Sequence, residues 1–158
     1  MFKAFNLKRF LTSIIIPVGT GLIAALLTRN SMDIYGRINT PPLSPPSVLF
    51  PIVWTILYIL MGISLYIFRG TSVPDEVKRK GHVYFGLQLL FNFLWSIAFF
   101  NLSLYTFAAI WLVALIVLIV LNILQFKKAD NLSAYLLIPY LIWCCFALYL
   151  NIGIAILN

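Results

Sequence analysis

Charge is scarce in this sequence. Asp and Glu together number 4, and Asp, Glu, Lys and Arg make up 9% of the 158 residues, against roughly 25% in an ordinary globular domain. Hydrophobic residues reach 63%, so the few charges cannot solvate a globule whose helices are apolar all round. That excludes a soluble enzyme and a disordered chain. Cysteine is also rare. Cys144 and Cys145 are adjacent, and neighbouring cysteines close a disulfide only with strain, so the pair reads as two small apolar residues and not as the staple of a secreted module. The lone histidine, His82, supplies no metal set. Period-2 alternation is missing too, which argues against a β-barrel.

The charges that exist are confined to short stretches. Between them lie uncharged runs at 10–28, 38–68, 81–126 and 131–158, and a bilayer span needs about 20 apolar residues. The third run would reach roughly 69 Å as one helix at 1.5 Å per residue, so it holds two spans, with the turn at Asn101-Leu102-Ser103-Leu104. The second opens on a proline-rich loop (Pro41, Pro42, Pro45, Pro46) before its span. The expectation is an all-α membrane protein: one domain over 1–158, a bundle of five transmembrane helices near 9–28, 48–68, 82–100, 105–126 and 132–156.

Lys3, Lys8, Arg9, Arg69, Lys78, Arg79, Lys80, Lys127 and Lys128 fall on the side of the N-terminus, against Arg29 and Arg37 on the other. Nine basic residues against two predict a cytoplasmic N-terminus and a C-terminus outside. The net charge of +7 is therefore a topology signal with a contact to anionic lipid, and the scatter of basic residues over short segments speaks against nucleic-acid binding. The first run ends Leu26-Leu27-Thr28-Arg29 without a small-x-small cleavage site, so it reads as a retained helix and not as a signal peptide.

Beyond Arg9 at the very start of the first, the spans hold no Asp, Glu, Lys or Arg, which argues against proton pumps and carriers of charged substrates. Aromatic residues, by contrast, are 16% of the chain. Tyr35, Tyr66, Tyr105 and Tyr135 fit the usual interfacial belt, whereas others form stripes at helical spacing. These are Phe50, Trp54, Tyr58 and Met61; Gln88, Asn92, Trp95 and Phe99; and Tyr140, Trp143, Ala147 and Asn151. Two readings stay open. Amides in hydrocarbon can be interhelical glue, or the stripes can wall an apolar pocket with a few polar groups, suited to a flat hydrophobic molecule under a stiff, proline-rich lid. Pro139 cannot donate to the carbonyl of Tyr135 and predicts a kink near Trp143. Gly81 and Gly86 are expected on the lipid face of the third helix, where small residues let a second copy approach.

Three ordered motifs carry a resemblance. Pro45-Pro46-x-x-x-Phe50-Pro51-x-x-Trp54-Thr55-x-x-Tyr58-x-x-Met61-Gly62, Gln88-Leu89-x-x-Asn92-x-x-Trp95-Ser96-x-x-Phe99-Phe100 and Pro139-Tyr140-Leu141-x-Trp143-x-x-Phe146-Ala147-x-x-Leu150-Asn151 resemble the signature of the tryptophan-rich sensory protein/translocator protein family (TspO/MBR), once called the peripheral benzodiazepine receptor. The resemblance covers nearly the whole chain. It implies a homodimeric five-helix bundle that binds porphyrins such as protoporphyrin IX and drugs of the isoquinoline-carboxamide and benzodiazepine types, with no required cofactor. With the stripes, it makes Trp54, Tyr58, Gln88, Asn92, Trp95, Tyr140, Trp143, Phe146 and Ala147 the candidate ligand-binding residues. The sequence departs from the family pattern at Leu43 and Val48, where tryptophans are common. No basic residue follows Tyr149, so the cholesterol motif of animal members is missing, which favours a bacterial cytoplasmic membrane. Three functions follow: a sensor or carrier of porphyrin-like ligands, a light-dependent porphyrin-degrading activity with Trp54 and Trp143 as redox partners, or a structural and regulatory membrane partner.

Overall fold

A computed structural model describes residues 4–158; Lys3, counted above on the N-terminal side, lies outside them. Among the described residues there is no strand, and five helices are long and apolar enough to cross a membrane. They run α1 (Leu7–Thr28), α2 (Leu49–Gly70), α3 (Asp75–Ser96), α4 (Tyr105–Lys127) and, after a single short turn of helix α5 (Asn131–Tyr135), α6 (Ile138–Leu157). The expected all-helical, five-span architecture is the one found.

Local chemistry sets the ends. The Asn6 side chain accepts the Arg9 N–H at 2.8 Å and caps α1, satisfying one of the donors a helix start leaves free. Asp75 and Glu76 open α3 just after Pro74, where negative charge suits the helix dipole, so the helix begins before its uncharged run does. Its far end widens into a π turn over Ile97–Asn101, and Leu102 N–H reaches back to the Ile97 carbonyl at 3.1 Å. The chain then reverses with Ser103 in the left-handed region, φ 51°. Asp130 caps α5 by accepting the Ser133 N–H at 2.9 Å.

Two expectations are corrected here. Pro139 does not kink a continuous last helix. The chain breaks between α5 and α6, and Pro139 falls in the first turn of α6, a position where its missing N–H has no helical partner to lose. Gly81 is not on the lipid face: it is buried, and the ring of Phe68 occupies the space a side chain would need. Gly86 is exposed, with nothing within 4 Å of a would-be Cβ.

The helices are held together differently at their two ends. At the end carrying Arg9, Arg69 and Lys78, packing is tight. Phe68 stacks on Phe126 at 4.0 Å between ring centroids, and Phe85 lies 5.9 Å from Phe126 on its other side. Ser64 Oγ donates to the Ser133 carbonyl at 2.6 Å, and Arg69 donates to the Thr12 and Ser13 hydroxyls at 2.7 and 2.9 Å. Toward the other end, α2 stays close to α1, while large side chains span the space between it and α3 and α6.

Without a hydrophobic drive between helices in lipid, close approach depends on small residues. Gly62 provides it for the α1–α2 pair: a Cβ there would lie 2.9 Å from Ile14 Cα and 2.7 Å from its Cδ1. Gly19 has nothing within 4 Å. Gly62→Val is therefore expected to lower the thermal midpoint in detergent, by the ~1–3 kcal/mol typical of overpacking, while Gly19→Ala leaves it unchanged. Equal midpoints for the two variants would contradict the contact.

Candidate functional site

At the end where α2 parts from α3, a cavity of about 260 Å³ lies between α1, α2 and α3. Trp54, Tyr58 and Pro51 of α2, Trp95 and Ser96 of α3, Phe50 and Phe100 form one side. Gly21, Ala24, Ala25, Thr28 and Arg29 form the other, with Met32 beyond them. The α1 residues recur at steps of three, one, three and one, the spacing of a single helical face. Gly21 lets the Tyr58 ring lie directly against α1: a Cβ there would collide with it. A second space of about 250 Å³ adjoins on the outer face of the α1–α2 pair and shares Gly21, Ala25, Pro51, Trp54 and Tyr58 with the first.

Behind the aromatic wall runs a chain of buried polar groups. Tyr58 Oη donates to Asn92 Oδ1 at 2.8 Å, and Asn92 Nδ2 donates to Tyr140 Oη at 2.8 Å. One turn along, Trp95 Nε1 donates to Asn151 Oδ1 at 3.0 Å, and Asn151 Nδ2 to the Tyr105 carbonyl at 2.8 Å. Asn92 is 0% exposed and Asn151 1%. Each amide uses both its oxygen and its nitrogen on partners from other helices, which is what a buried amide requires. Trp54 sits at the centre of the rings, 5.7 Å from Tyr58, 6.1 Å from Trp95 and 6.2 Å from Tyr140.

The candidate residues therefore divide. Trp54, Tyr58 and Trp95 line the cavity. Ala147 lines a small adjoining space of about 30 Å³ with Trp54, Trp95 and Tyr35. Asn92 and Tyr140 stand behind the wall and hold it. Gln88 is a turn away from Asn92, 0% exposed, with Nε2 3.8 Å from Met61 Sδ and Oε1 unpartnered. Trp143 and Phe146 pack on one another at 5.5 Å, and Trp143 meets Phe50 at 6.0 Å; the buried indole N–H of Trp143 has no partner. Both readings of the stripes thus apply: Asn92 and Asn151 are interhelical ties, and Tyr58 and Trp95 bond to them while also walling the cavity. Sequence reasoning missed the α1 face, because its Gly and Ala residues carry no chemistry of their own; the spacing Gly21, Ala24, Ala25, Thr28 was the available signal.

The first loop lies across the mouth and is fastened to α6. Tyr149 Oη donates to the Pro42 carbonyl at 2.6 Å, Asn39 N–H donates to Asn158 Oδ1 at 3.0 Å, and Asn158 Nδ2 returns a bond to the Asn39 carbonyl at 2.8 Å. Pro41 fills the place of a side chain at Gly153. Within the loop, Tyr35 Oη donates to the Pro45 carbonyl at 2.9 Å while its ring meets Phe50 at 5.0 Å. Burial pushes the Tyr35 hydroxyl above its ordinary pKa, with Ser44 opposing, so it remains a neutral donor at physiological pH. Leu43, where the family commonly has tryptophan, is 84% exposed with φ 67° and makes no contact with the cavity.

The sequence profile of the TspO/MBR family matches residues 13–157. The chain is 40% identical over 124 residues to "Tryptophan-rich protein TspO" of Chlorobaculum tepidum, covering 78% of each protein. It is 34% identical over 154 residues to the protein of the same name in Archaeoglobus fulgidus, covering 97% of this chain and 99% of the other. "Translocator protein" of Ovis aries is 29% identical over 120 residues, covering 74% of this chain and 70% of that one.

If Asn92 ties three helices, Asn92→Ala leaves two tyrosine hydroxyls unpartnered, whereas Tyr58→Phe removes one bond and leaves one amide oxygen open. Interhelical hydrogen bonds in membranes are worth ~0.6 kcal/mol on average and ~1.7 at most. Asn92→Ala is thus expected to lower the thermal midpoint in detergent more than Tyr58→Phe does. The reverse order would show that the chain is not the tie.

Proposed function

The chain belongs to the TspO/MBR family, and from that premise we propose that this multi-pass membrane protein binds porphyrins, protoporphyrin IX among them, as a sensor or carrier. The observation that carries the reading is the aromatic cavity between α1, α2 and α3, walled by Trp54, Tyr58 and Trp95. Indole and phenol rings offer flat, polarisable faces to a flat apolar ring. Binding pockets are usually ~300–1,000 Å³; the inner space alone falls below that range, and the space adjoining it brings the two into it. A porphyrin would lie against Trp54 and extend into the gap between α1 and α2. The same walls suit isoquinoline-carboxamide and benzodiazepine drugs. The setting we propose is a bacterial cytoplasmic membrane, with the basic end of the bundle facing the cytoplasm, lipid as its immediate partner, and a second copy packed on the exposed face of α3 at Gly86.

A second reading is favoured by the cluster of oxidisable rings. Trp54 lies 5.7–6.2 Å from Tyr58, Trp95 and Tyr140, and an indole beside a light-excited porphyrin can donate an electron to it. Trp54 is the first partner in this reading. Trp143, separated from the cavity by Phe50, would act as the second.

Titration of the purified protein with protoporphyrin IX in the dark, followed by tryptophan quenching, separates the readings. Saturable binding is expected, weakened about tenfold or more by Trp54→Ala in a protein that keeps its thermal midpoint. Asn92→Ala is expected to weaken it as well, through the displaced Tyr58. Unchanged affinity in both variants would contradict the cavity as the site. Illumination of the complex then distinguishes binding from turnover. A stable spectrum supports the sensor or carrier; bleaching that disappears in a Trp54→Phe, Trp143→Phe double variant supports the photochemical activity.

A further inference from the structure

The cavity has a charge that a purely apolar ring would leave unused. Arg29 follows the last residue of α1 and is the one charged side chain lining the space. Among the described residues it has no hydrogen-bond or ion-pair partner. Asp33, four residues further on, forms no salt bridge with it, and Asp75, Glu76 and Asp130 begin helices at the opposite end of the bundle.

Most other donors of the lining are engaged. Thr28 Oγ1 donates to the Ala24 carbonyl at 2.8 Å and Ser96 Oγ to the Asn92 carbonyl at 3.3 Å. Tyr58 donates to Asn92, and Trp95 to Asn151. The donors left open are the Arg29 guanidinium and the Trp54 indole N–H, while the Thr28, Ser96 and Tyr58 hydroxyl oxygens keep only acceptor capacity. No carboxylate or side-chain amide lines the space. A cavity with aromatic walls, open donors and an uncompensated cation at its rim is complementary to a flat apolar body carrying an anion at one edge.

We propose that Arg29 is a specificity-determining residue that pairs with a carboxylate of the ligand, so that the site selects planar apolar acids over their neutral esters and amides. The proposal rests on the cavity being the ligand site and adds the residue that reads the ligand's charge. A guanidinium presents a planar fork that matches a carboxylate through two parallel hydrogen bonds. At the rim the pair would form where the ring is already desolvated against Trp54 and Trp95, with the carboxylate toward the water. The same cation could instead meet an anionic lipid headgroup, and the experiment separates the two.

Protoporphyrin IX and its dimethyl ester, which share a ring and differ in charge, are titrated in phosphatidylcholine nanodiscs against wild type, Arg29→Gln and Trp54→Ala. The expected result is a preference of about tenfold or more for the diacid in wild type, in line with a charge-assisted hydrogen bond. Arg29→Gln is expected to remove that preference and leave ester affinity unchanged, and Trp54→Ala to weaken both ligands together. Arg29→Lys is expected to recover part of the preference. Equal affinity of wild type for the two ligands, or a preference that survives in Arg29→Gln, would overturn the role of Arg29 while leaving the cavity standing. Failure of both ligands to bind would overturn the cavity reading and this proposal with it. Repeating the titration with phosphatidylglycerol in the nanodiscs tests the lipid alternative. A preserved preference supports the proposal, and its disappearance would assign the guanidinium to lipid.

Discussion

A polar side chain in hydrocarbon has no water to fall back on, so it must find its partners inside the protein. Asn92 shows what this constraint does here. Its oxygen accepts from Tyr58 on α2 and its nitrogen donates to Tyr140 on α6, so one amide on α3 joins three helices that make little close backbone contact with one another. The tyrosine rings are as important as the amide. They are long enough to hold the helices at a distance while their hydroxyls close the chain. Asn151 repeats the device one level nearer the loop, joining Trp95 of α3 to the start of α4. The aromatic wall keeps its place because the ends of its rings are tied.

The contrast between the two ends follows. Where Phe68, Phe85 and Phe126 stack and Gly81 makes room for them, the bundle is filled. Where the separation is set by tyrosines reaching to amides, a space remains beside α1, lined on that side by Gly21, Ala24 and Ala25. The first loop closes this end from above. Its prolines limit its conformations, and its bonds to Tyr149 and Asn158 fix it to the last helix. One end is thus a rigid base and the other a cavity with a roof, an arrangement suited to holding a small molecule at one depth of the membrane.

Much of this was legible in the sequence, because the strongest signals in a membrane chain are composition and the spacing of costly residues. The uncharged runs announced the helices, and the four-and-three steps of Trp54, Tyr58, Asn92, Trp95 and Tyr140 announced that these residues meet. What the spacing could not separate was their roles. Asn92 and Tyr140 share stripes with Trp95 and Trp143, and only the placement of the cavity leaves the first two behind the wall and makes Trp95 both a tie and a wall. The α1 face stayed hidden for the opposite reason: its contribution is the absence of side chains at Gly21, Ala24 and Ala25, and small residues are common in membrane helices for many reasons. Pro139 misled because proline is tolerated in a helix's first turn as well as disruptive in its interior. The break falls just after Tyr135, the residue whose carbonyl Pro139 cannot serve, so the proline marks the start of α6 and not a bend near Trp143.

The central claim is that the ligand lies in the cavity between α1, α2 and α3 against Trp54, and it can be read by where a bound porphyrin touches the chain. A protoporphyrin derivative carrying a photoactivatable diazirine, bound in the dark, activated, and mapped by mass spectrometry of the digested protein, gives that position directly. The account predicts labelled peptides from α1 around Gly21 to Arg29 and from α2 around Phe50 to Tyr58, both suppressed by excess unlabelled protoporphyrin IX. Labelling that is equally suppressible but concentrated on the exposed groove between α4 and α6, at Ile110, Val113 and Ile152, would contradict it.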